Sequence, residues 1–314
     1  MSRTVLPVPV EQLAEWCVRW LGCPPVDVLF TTGHLSTVAG VRLSDGRQVV
    51  VKARPAPAAR VAACALVQSF VSAIGYPCPM PLIGPRPLGA LTATAEIHLP
   101  GGRMQPPGTD LTIASARALA RLIGLTPPAA TVGQLYPPPP WAWPQHDQGE
   151  VWPDPDDIDA NLNAHPGPDW LDALGYRIRA RLRGLSQPAV IGHVDWEAHN
   201  LRWSDDGTLH AVHDWDSLAA QPEPLIAGLA AAVHTATHEP GTEATTRQAG
   251  AFLTAYQQAR RLVFTADEIQ IAWAAGLWVH AYNAKKEILR SHAATTTLDR
   301  LAAEAAERLR LAAA

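Results

Sequence analysis

Two segments in the second half of the chain carry acids and an amide at a spacing that matters chemically. The first contains His193, Asp195 and Asn200, and the second contains Asp214. Each follows a short apolar run with the character of a β-strand. An aspartate at the end of a strand can orient an attacking hydroxyl, and an asparagine with a second aspartate supplies the hard oxygen ligands that Mg²⁺ prefers. The spacing therefore predicts a site for metal-assisted phosphoryl transfer.

Such a site also needs a cation on the phosphates, and Lys52 is the candidate. It ends the apolar run Val49–Val51, and only three of the 25 basic residues of the chain are lysines. In a chain that otherwise uses arginine, a lysine at the end of a buried strand indicates a requirement for a compact point charge.

The surrounding sequence predicts elements that would position these groups. Helical periodicity over 11–21 precedes β-rich runs at 26–30, 38–43 and 48–52, and the pair Asp45-Gly46 favours a hairpin between the last two. A helix is predicted over 58–74, further strands within 81–98, and a hinge at 99–102. Beyond the hinge, strands are predicted at 189–192 and 208–213, and helices over 115–125, 170–184, 225–237, 244–263, 267–291 and 295–313.

The order His193-x-Asp195-x4-Asn200, followed by Asp214, resembles the aminoglycoside phosphotransferase/choline kinase family, and the resemblance covers nearly the whole chain. It implies an α+β, two-lobed protein-kinase-like fold. A small β-rich N-lobe (1–100) would bind the nucleotide. A larger, mainly helical C-lobe (101–314) would carry the catalytic loop, the metal site and the acceptor pocket. The Pro-rich stretch 126–168 is interpreted as an insertion or lid, because its tryptophans need burial.

The resemblance also implies roles for individual residues. Asp195 would be the catalytic aspartate, and His193 would pack against and hydrogen-bond the catalytic segment. Asn200 and Asp214 would bind Mg²⁺. The nucleotide would be ATP or GTP. Its phosphates would be contacted by Lys52, Ser36 and Thr37, and its base by the backbone of Glu96, Ile97, His98 and Leu99.

One feature departs from the family pattern. The family usually has a glutamate on the helix after the lysine strand, where it pairs with the lysine. The predicted helix 58–74 contains no acid, and its main polar residues besides serines are Arg60 and Gln68. Either Lys52 is held differently, for example by Asp214, or the lobe suits an unusual nucleotide.

Composition limits the partners. A net charge of −4 argues against a nucleic-acid binder. The longest apolar run, 225–233, is far shorter than the roughly 20 residues that span a bilayer, and the N-terminus lacks a signal-peptide h-region. Four cysteines without CxxC spacing indicate a reducing compartment. These features predict a cytoplasmic protein without membrane or nucleic-acid partners.

The acceptor is predicted from charge and aromatic content. Residues 1–103 carry a net charge of +4 and residues 104–314 a net charge of −8. Asp216 and Glu223 would favour a cationic acceptor, whereas Trp215 and Trp278 would suit stacking on a ring. Of the two, we favour the acceptor whose ring stacks on tryptophan.

The predicted activity is nucleoside-triphosphate-dependent phosphorylation of a small-molecule hydroxyl. The expected acceptor is an antibiotic of the aminoglycoside, tuberactinomycin or nucleoside type, so that the reaction confers resistance. Alternatives are a metabolic kinase acting on choline, an amino alcohol or a sugar, and a nucleotide-binding pseudokinase module. A metal-dependent hydrolase would need ligands on the early strands, and the sequence offers none.

Overall fold

The first part of the chain forms an antiparallel sheet flanked by two helices. The computed structural model describes residues 8–33, 36–146, 149–165, 167–237, 239–290 and 296–314. The elements of this part are α1 (Val10–Leu21), β1 (Pro25–Gly33), β2 (Thr37–Leu43), β3 (Gln48–Arg54), α2 (Ala58–Ala73), β4 (Pro81–Leu88) and β5 (Leu91–Ile97). The strand order is β1-β2-β3-β5-β4. The apolar face of α1, with Leu13, Trp16 and Cys17, is buried against the sheet, as its periodicity predicts.

The turn between β2 and β3 sets the register of the central strands. Gly46 adopts a left-handed φ of 88°, and the Asp45 carboxylate accepts a hydrogen bond from the Arg47 backbone N–H at 3.0 Å. Glycine takes this conformation without steric cost, which is why Asp-Gly favours the hairpin. In the resulting register, Lys52 on β3 lies opposite Thr94 on β5.

The second part is mainly helical. Its elements are α3 (Thr109–Leu125), α4 (Asp169–Leu182), β6 (Ala189–His193), β7 (Leu201–Trp203), β8 (Leu209–Val212), β9 (Leu218–Pro222), α5 (Glu223–Val233), α6 (Thr246–Arg260), α7 (Ala266–Arg290) and α8 (Thr296–Ala312). The predicted α+β, two-lobed kinase-like class is confirmed. None of the helices in the described ranges combines the length and the apolar character that crossing a membrane would need.

Four short strands, where the sequence predicted two, form two antiparallel pairs in this helical part. β6 pairs with β9, so that His193 lies opposite Leu218. β7 pairs with β8, so that Leu201 lies opposite Val212. The missed strands β7 and β9 are three and five residues long, too short for a hydrophobic period to be recognised.

Helices α5 and α7 cross in direct backbone contact at the centre of the helical core. A Cβ atom built on Gly228 of α5 would lie 2.0 Å from the Ala272 carbonyl oxygen of α7. A Cβ atom built on Gly276 of α7 would likewise lie 3.0 Å from the Gly228 carbonyl oxygen. Only residues without a side chain allow so close an approach, so the position of α7 is fixed by this crossing.

The Pro-rich stretch 126–168 is anchored to α4 and α7. Trp152 is buried, its ring centroid lies 5.3 Å from that of Trp278 on α7, and its indole N–H donates to Asp172 of α4 at 2.6 Å. The Arg179 guanidinium of α4 donates to the carbonyls of Pro144 and His146 at 3.1 and 2.6 Å. These contacts hold the stretch against the helical core.

Helix α2 connects the two parts. Its buried residues Cys64, Val67 and Val71 belong to the apolar cluster of the helical part, not to that of the sheet. Arg60 of α2 also donates to the Leu218 carbonyl at 2.9 Å and to the Pro137 carbonyl at 3.0 Å. The helix that follows the lysine strand is therefore seated on the C-terminal part.

Candidate active site

The two short strand pairs bring the predicted catalytic segments side by side. Beyond the β6–β9 pair, the Val194 N–H donates to the Ser217 carbonyl at 3.0 Å. Beyond the β7–β8 pair, the His213 N–H donates to the Asn200 carbonyl at 2.9 Å. Asp195 and Asp214 thus leave adjacent strand ends, and their carboxylates interact electrostatically.

Asp195 and Asn200 are joined by two hydrogen bonds. The Asn200 amide nitrogen donates to Asp195 Oδ2 and to the Asp195 backbone carbonyl, both at 2.9 Å. With the amide nitrogen committed to Asp195, the Asn200 carbonyl oxygen is the group left to act as a ligand. The other carboxylate oxygen, Asp195 Oδ1, remains available to a substrate.

The two aspartates have opposite pKa shifts. Burial and the Asp214 charge raise the pKa of Asp195 to about 7, although the Asn200 hydrogen bond opposes this. Burial also opposes ionisation of Asp214, but the positive charges of Lys52 and Arg54 hold the pKa of Asp214 below its usual value. At neutral pH, Asp214 is therefore a permanent anion and Asp195 can bind a proton.

The backbone of Asp214 has an uncommon conformation, with φ 61° and ψ 50° in the left-handed region. This conformation is costly for a residue with a side chain. It is stabilised by Ser217, whose hydroxyl donates to Asp214 Oδ2 and whose N–H donates to the Asp214 carbonyl, both at 3.1 Å. The carboxylate held in this way interacts electrostatically with Lys52 and Arg54, across the cleft between the sheet and the helical part.

His193 is completely buried and supports the two segments. Its Nε2 donates to the His213 carbonyl at 2.9 Å, and its ring lies edge-on to Trp196 and Trp215. Burial lowers the pKa of His193, although the nearby Asp214 opposes the shift. The enclosed imidazole thus contacts both the His213 carbonyl and the two indole rings.

Lys52 faces the same cleft and has a partner that the sequence did not predict. Its Nζ lies 3.3 Å from Glu96 Oε1 on β5, and both side chains are largely buried. Glu96 was expected to contact a base through its backbone. Its side chain has a separate interaction, because its carboxylate pairs with the lysine, and Asp214 interacts with Lys52 at longer range.

The chain has been compared with known proteins. No protein-family model matches it, and no curated protein does. Among solved structures, it is similar to an amicoumacin kinase in complex with AMP-PNP, Ca²⁺ and Ami, with a TM-score of 0.63, 12% identity, and 96% of this chain and 93% of that one covered. It is also similar to an aminoglycoside phosphotransferase from Alicyclobacillus acidocaldarius, with a TM-score of 0.57, 12% identity, and 94% of this chain and 93% of that one covered. A spectinomycin phosphotransferase in complex with ADP and spectinomycin is similar as well, with a TM-score of 0.55, 14% identity, and 94% of this chain and 93% of that one covered.

The chain has the kinase-like phosphotransferase fold. Within this fold, Asn200 is hydrogen-bonded to Asp195, Asp195 interacts electrostatically with Asp214, and Asp214 interacts with Lys52 of the sheet. Asp214 offers a carboxylate that stays ionised, and Asn200 offers an amide oxygen. Both are hard oxygen donors of the kind that Mg²⁺ takes in combination with phosphates and water, so the residues fit a divalent cation.

The predicted nucleotide contacts of this phosphotransferase fold are distributed along β3, with Thr37 near one end of the strand and Ile97 near the other. Thr37 lies opposite Ala53, next to Lys52 in the sheet, and Ser36 precedes it. The neighbouring 34–35 lie outside the described residues. The Ile97 and His98 N–H groups already donate to the Met80 and Gln48 carbonyls, at 2.9 and 3.0 Å. Among the backbone N–H groups of residues 97–99, the one left to contact a base is therefore that of Leu99.

The predicted acceptor residues do not form a common wall. Trp215 and Trp278 are 2% and 0% exposed and belong to the core, so neither can stack on an acceptor in this structure. Their amphipathic rings are equally suited to burial, and the sequence does not distinguish the two environments. Glu223 lies elsewhere, bound to Arg260 at 2.7 Å and to the Tyr256 hydroxyl at 2.8 Å. Asp216 forms an ion pair with Arg54 of β3.

Several charged residues that sequence analysis missed surround Asp195 instead. Lys286 of α7 and Asp156 both act on its pKa, and Lys286 Nζ lies 2.7 Å from Asp157 Oδ2. Glu197 interacts electrostatically with Asp195 and Glu243, and burial raises the pKa of Glu197 well above its usual value. A signal for Lys286 was available, since lysine is rare in this chain, and Glu197 lies between Asp195 and Asn200.

Proposed function

We propose that this protein is a nucleoside-triphosphate-dependent O-phosphotransferase that phosphorylates a hydroxyl group of a small molecule. The observation that carries the proposal is the meeting of Asp195, Asn200, Asp214 and Lys52 in one cleft of a phosphotransferase fold. The first two are joined by hydrogen bonds, and the charge of Lys52 reaches Asp214. Phosphoryl transfer relies on positioning and electrostatic stabilisation, which these groups supply together.

In the proposed mechanism, Asp195 orients the acceptor hydroxyl. The Asn200 amide holds Oδ2 of that carboxylate, which leaves Oδ1 to accept a hydrogen bond from the hydroxyl and then its proton late in transfer. Lys52 contacts the α- and β-phosphates of ATP or GTP. Asn200 and Asp214 would hold Mg²⁺, which supplies charge neutralisation on the phosphates when bound. His193 keeps the two loops in register.

The acceptor we propose is a hydroxylated antibiotic that carries at least one protonated amine, so that the reaction confers resistance. Asp156 and Glu197 interact electrostatically with Asp195, as does one lysine, Lys286. Burial and mutual repulsion raise the pKa values of these carboxyl groups, and a protonated amine placed among them would favour their ionised forms. Burial of the tryptophans removes the support for stacking, and the amicoumacin kinase and the spectinomycin phosphotransferase are antibiotic-modifying proteins by name.

We further propose that residues 1–100 form the nucleotide lobe and 101–314 the catalytic lobe, and that the protein works in the cytoplasm. The separate apolar core of the sheet supports this division. All four cysteines are free, which suits a reducing compartment.

The test is a thermal-shift screen with ATP, GTP and Mg²⁺, followed by transfer of labelled phosphate to a panel of aminated and neutral hydroxylated antibiotics, because a ligand that binds only the folded state raises Tm. We expect a nucleotide-dependent rise in Tm and transfer to an aminated acceptor. KM for this acceptor should rise with salt, since ion pairing is screened. Nucleotide binding without transfer to any acceptor would favour the pseudokinase module, and the absence of nucleotide binding would contradict the proposal.

A further inference from the structure

The carboxylate that partners Lys52 comes from the sheet and not from helix α2. Helix α2 has no acidic residue, and Glu96 of β5 lies 3.3 Å from Lys52 Nζ. The two residues are on adjacent strands, where Val50 is paired with Glu96 and Lys52 with Thr94. Alternation along a strand puts Val50 and Lys52 on the same face, so the pairing of β3 with β5 brings the carboxylate next to the amine.

Gln68 of α2 completes the arrangement. Its side-chain nitrogen donates to Glu96 Oε2 at 2.9 Å and to the Pro79 carbonyl at 2.8 Å, and the residue is 5% exposed. Both amide hydrogens are therefore used. The bond to Oε2 leaves Oε1 of Glu96 for Lys52.

The surroundings strengthen this ion pair. A small, partly open pocket next to it is lined by Gln68, Cys64 and Asp216 among others. The Lys52 and Glu96 side chains are 13% and 10% exposed. Charge-assisted hydrogen bonds are stronger where solvent is excluded, and removing one partner leaves the other unpaired.

We propose that Glu96 is the positioning residue for Lys52 and that Gln68 orients Glu96, a role that rests on the proposed phosphotransferase function. Both members of the ion pair belong to one sheet, and α2 contributes the Gln68 amide that holds Glu96 Oε2. Glu96 also begins the segment 96–99 that would receive the base. Glu96 thus connects Lys52, which would contact the phosphates, with the segment that would bind the base.

The competing interpretation is that Glu96 contacts the base directly or only stabilises the fold. A double-mutant cycle with Lys52 distinguishes these roles, because residues that act through one another are not additive. The variants are Glu96→Gln, Lys52→Met and the double variant. The readout is the Kd for ATP and for adenosine in the presence of Mg²⁺, so no acceptor is needed.

We expect Glu96→Gln to weaken ATP binding by about 10-fold or more, the effect of losing a hydrogen bond to a charged group. Adenosine binding should be unchanged, since adenosine has no phosphates. In the Lys52→Met background, Glu96→Gln should have no further effect on ATP affinity. Gln68→Leu should reproduce a smaller part of the loss, and Glu96→Asp should recover part of the affinity.

Glu304→Gln is the matched control, because it removes a partly buried carboxylate from its ion pair with the buried Arg308 on α8. It should lower Tm without changing the ATP Kd. An equal effect of Glu96→Gln with and without Lys52, or an equal loss for ATP and adenosine, would overturn the positioning role. If the wild-type protein binds no nucleotide at all, the proposed function itself fails, and this outcome is distinct from the other two.

Discussion

Replacing Asp195 with asparagine should strongly reduce activity and yet stabilise the metal-free protein at alkaline pH. Burial and the charge of Asp214 raise the pKa of Asp195 to about 7, whereas an aspartate in an unfolded chain has a pKa of about 3.9. An acid with a raised folded-state pKa destabilises the fold once it ionises. The penalty therefore begins above about pH 4 and is complete above about pH 7.

The size of the effect follows from the shift. Three pKa units at about 1.36 kcal/mol each give an upper bound of about 4 kcal/mol at pH 8. The asparagine can still accept the hydrogen bond from Asn200 through its carbonyl oxygen, so that contact is retained. Allowing for relaxation and solvent around the site, we expect a gain of about 2 kcal/mol, or roughly 4 °C in Tm.

The assay is thermal and urea unfolding of both proteins in excess chelator, at pH 8 and pH 5. At pH 5 the folded wild-type protein has Asp195 protonated, so the advantage of Asp195→Asn should shrink to less than half. In parallel, kcat should fall by about two to four orders of magnitude, because an amide cannot take the proton. A variant less stable than wild type at pH 8, or an advantage equal at both pH values, would refute the electrostatic account. Near-normal turnover would remove Asp195 from the mechanism.

Three further predictions concern the metal, the lysine and the helix crossing. Asp214→Ala should lose divalent-dependent transfer without unfolding, as checked by circular dichroism, and transfer that persists in excess chelator would contradict the assignment. Lys52→Ala should raise the nucleotide KM or lower kcat, with Lys52→Arg only partly active because the guanidinium is larger and planar; wild-type kinetics would mean that another cation acts. Gly228→Ala should cost about 3 kcal/mol in urea unfolding, because its methyl group would meet the Ala272 carbonyl. The matched control is Gly250→Ala, whose methyl would lie 3.7 Å from Trp273 and should not destabilise the protein.

The parts of the site that are local in sequence could be predicted, and those that depend on long-range packing could not. Asp195 and Asn200 lie within one loop, and Asp214 follows the next strand pair, so order and spacing were sufficient to group them. The absence of an acid from α2 was visible, but the substitute, Glu96, could be identified only from the register of β3 and β5. Trp215 and Trp278 were predicted to stack on an acceptor but are buried, and the sequence does not separate the two environments because an indole ring suits a core and a pocket wall equally.

The same limit applies to Lys286 and Asp157. They are 129 positions apart in sequence, and only the anchoring of the Pro-rich stretch on α7 brings them together. No periodicity or spacing encodes such a pair. Electrostatic partners contributed by an insertion are thus the least predictable part of this cleft.

The contact between Gly228 and Ala272 has a consequence for how acceptor specificity can change over evolution. Because α5 and α7 touch through their backbones, α7 cannot rotate or slide without losing this contact. Lys286, which α7 carries towards Asp195, is therefore a fixed point of the cleft. The stretch 149–165 that faces it consists largely of connecting chain, which tolerates insertions and substitutions better than helices do. New acceptors should consequently be acquired by rewriting that stretch, while the helix beneath it stays constant.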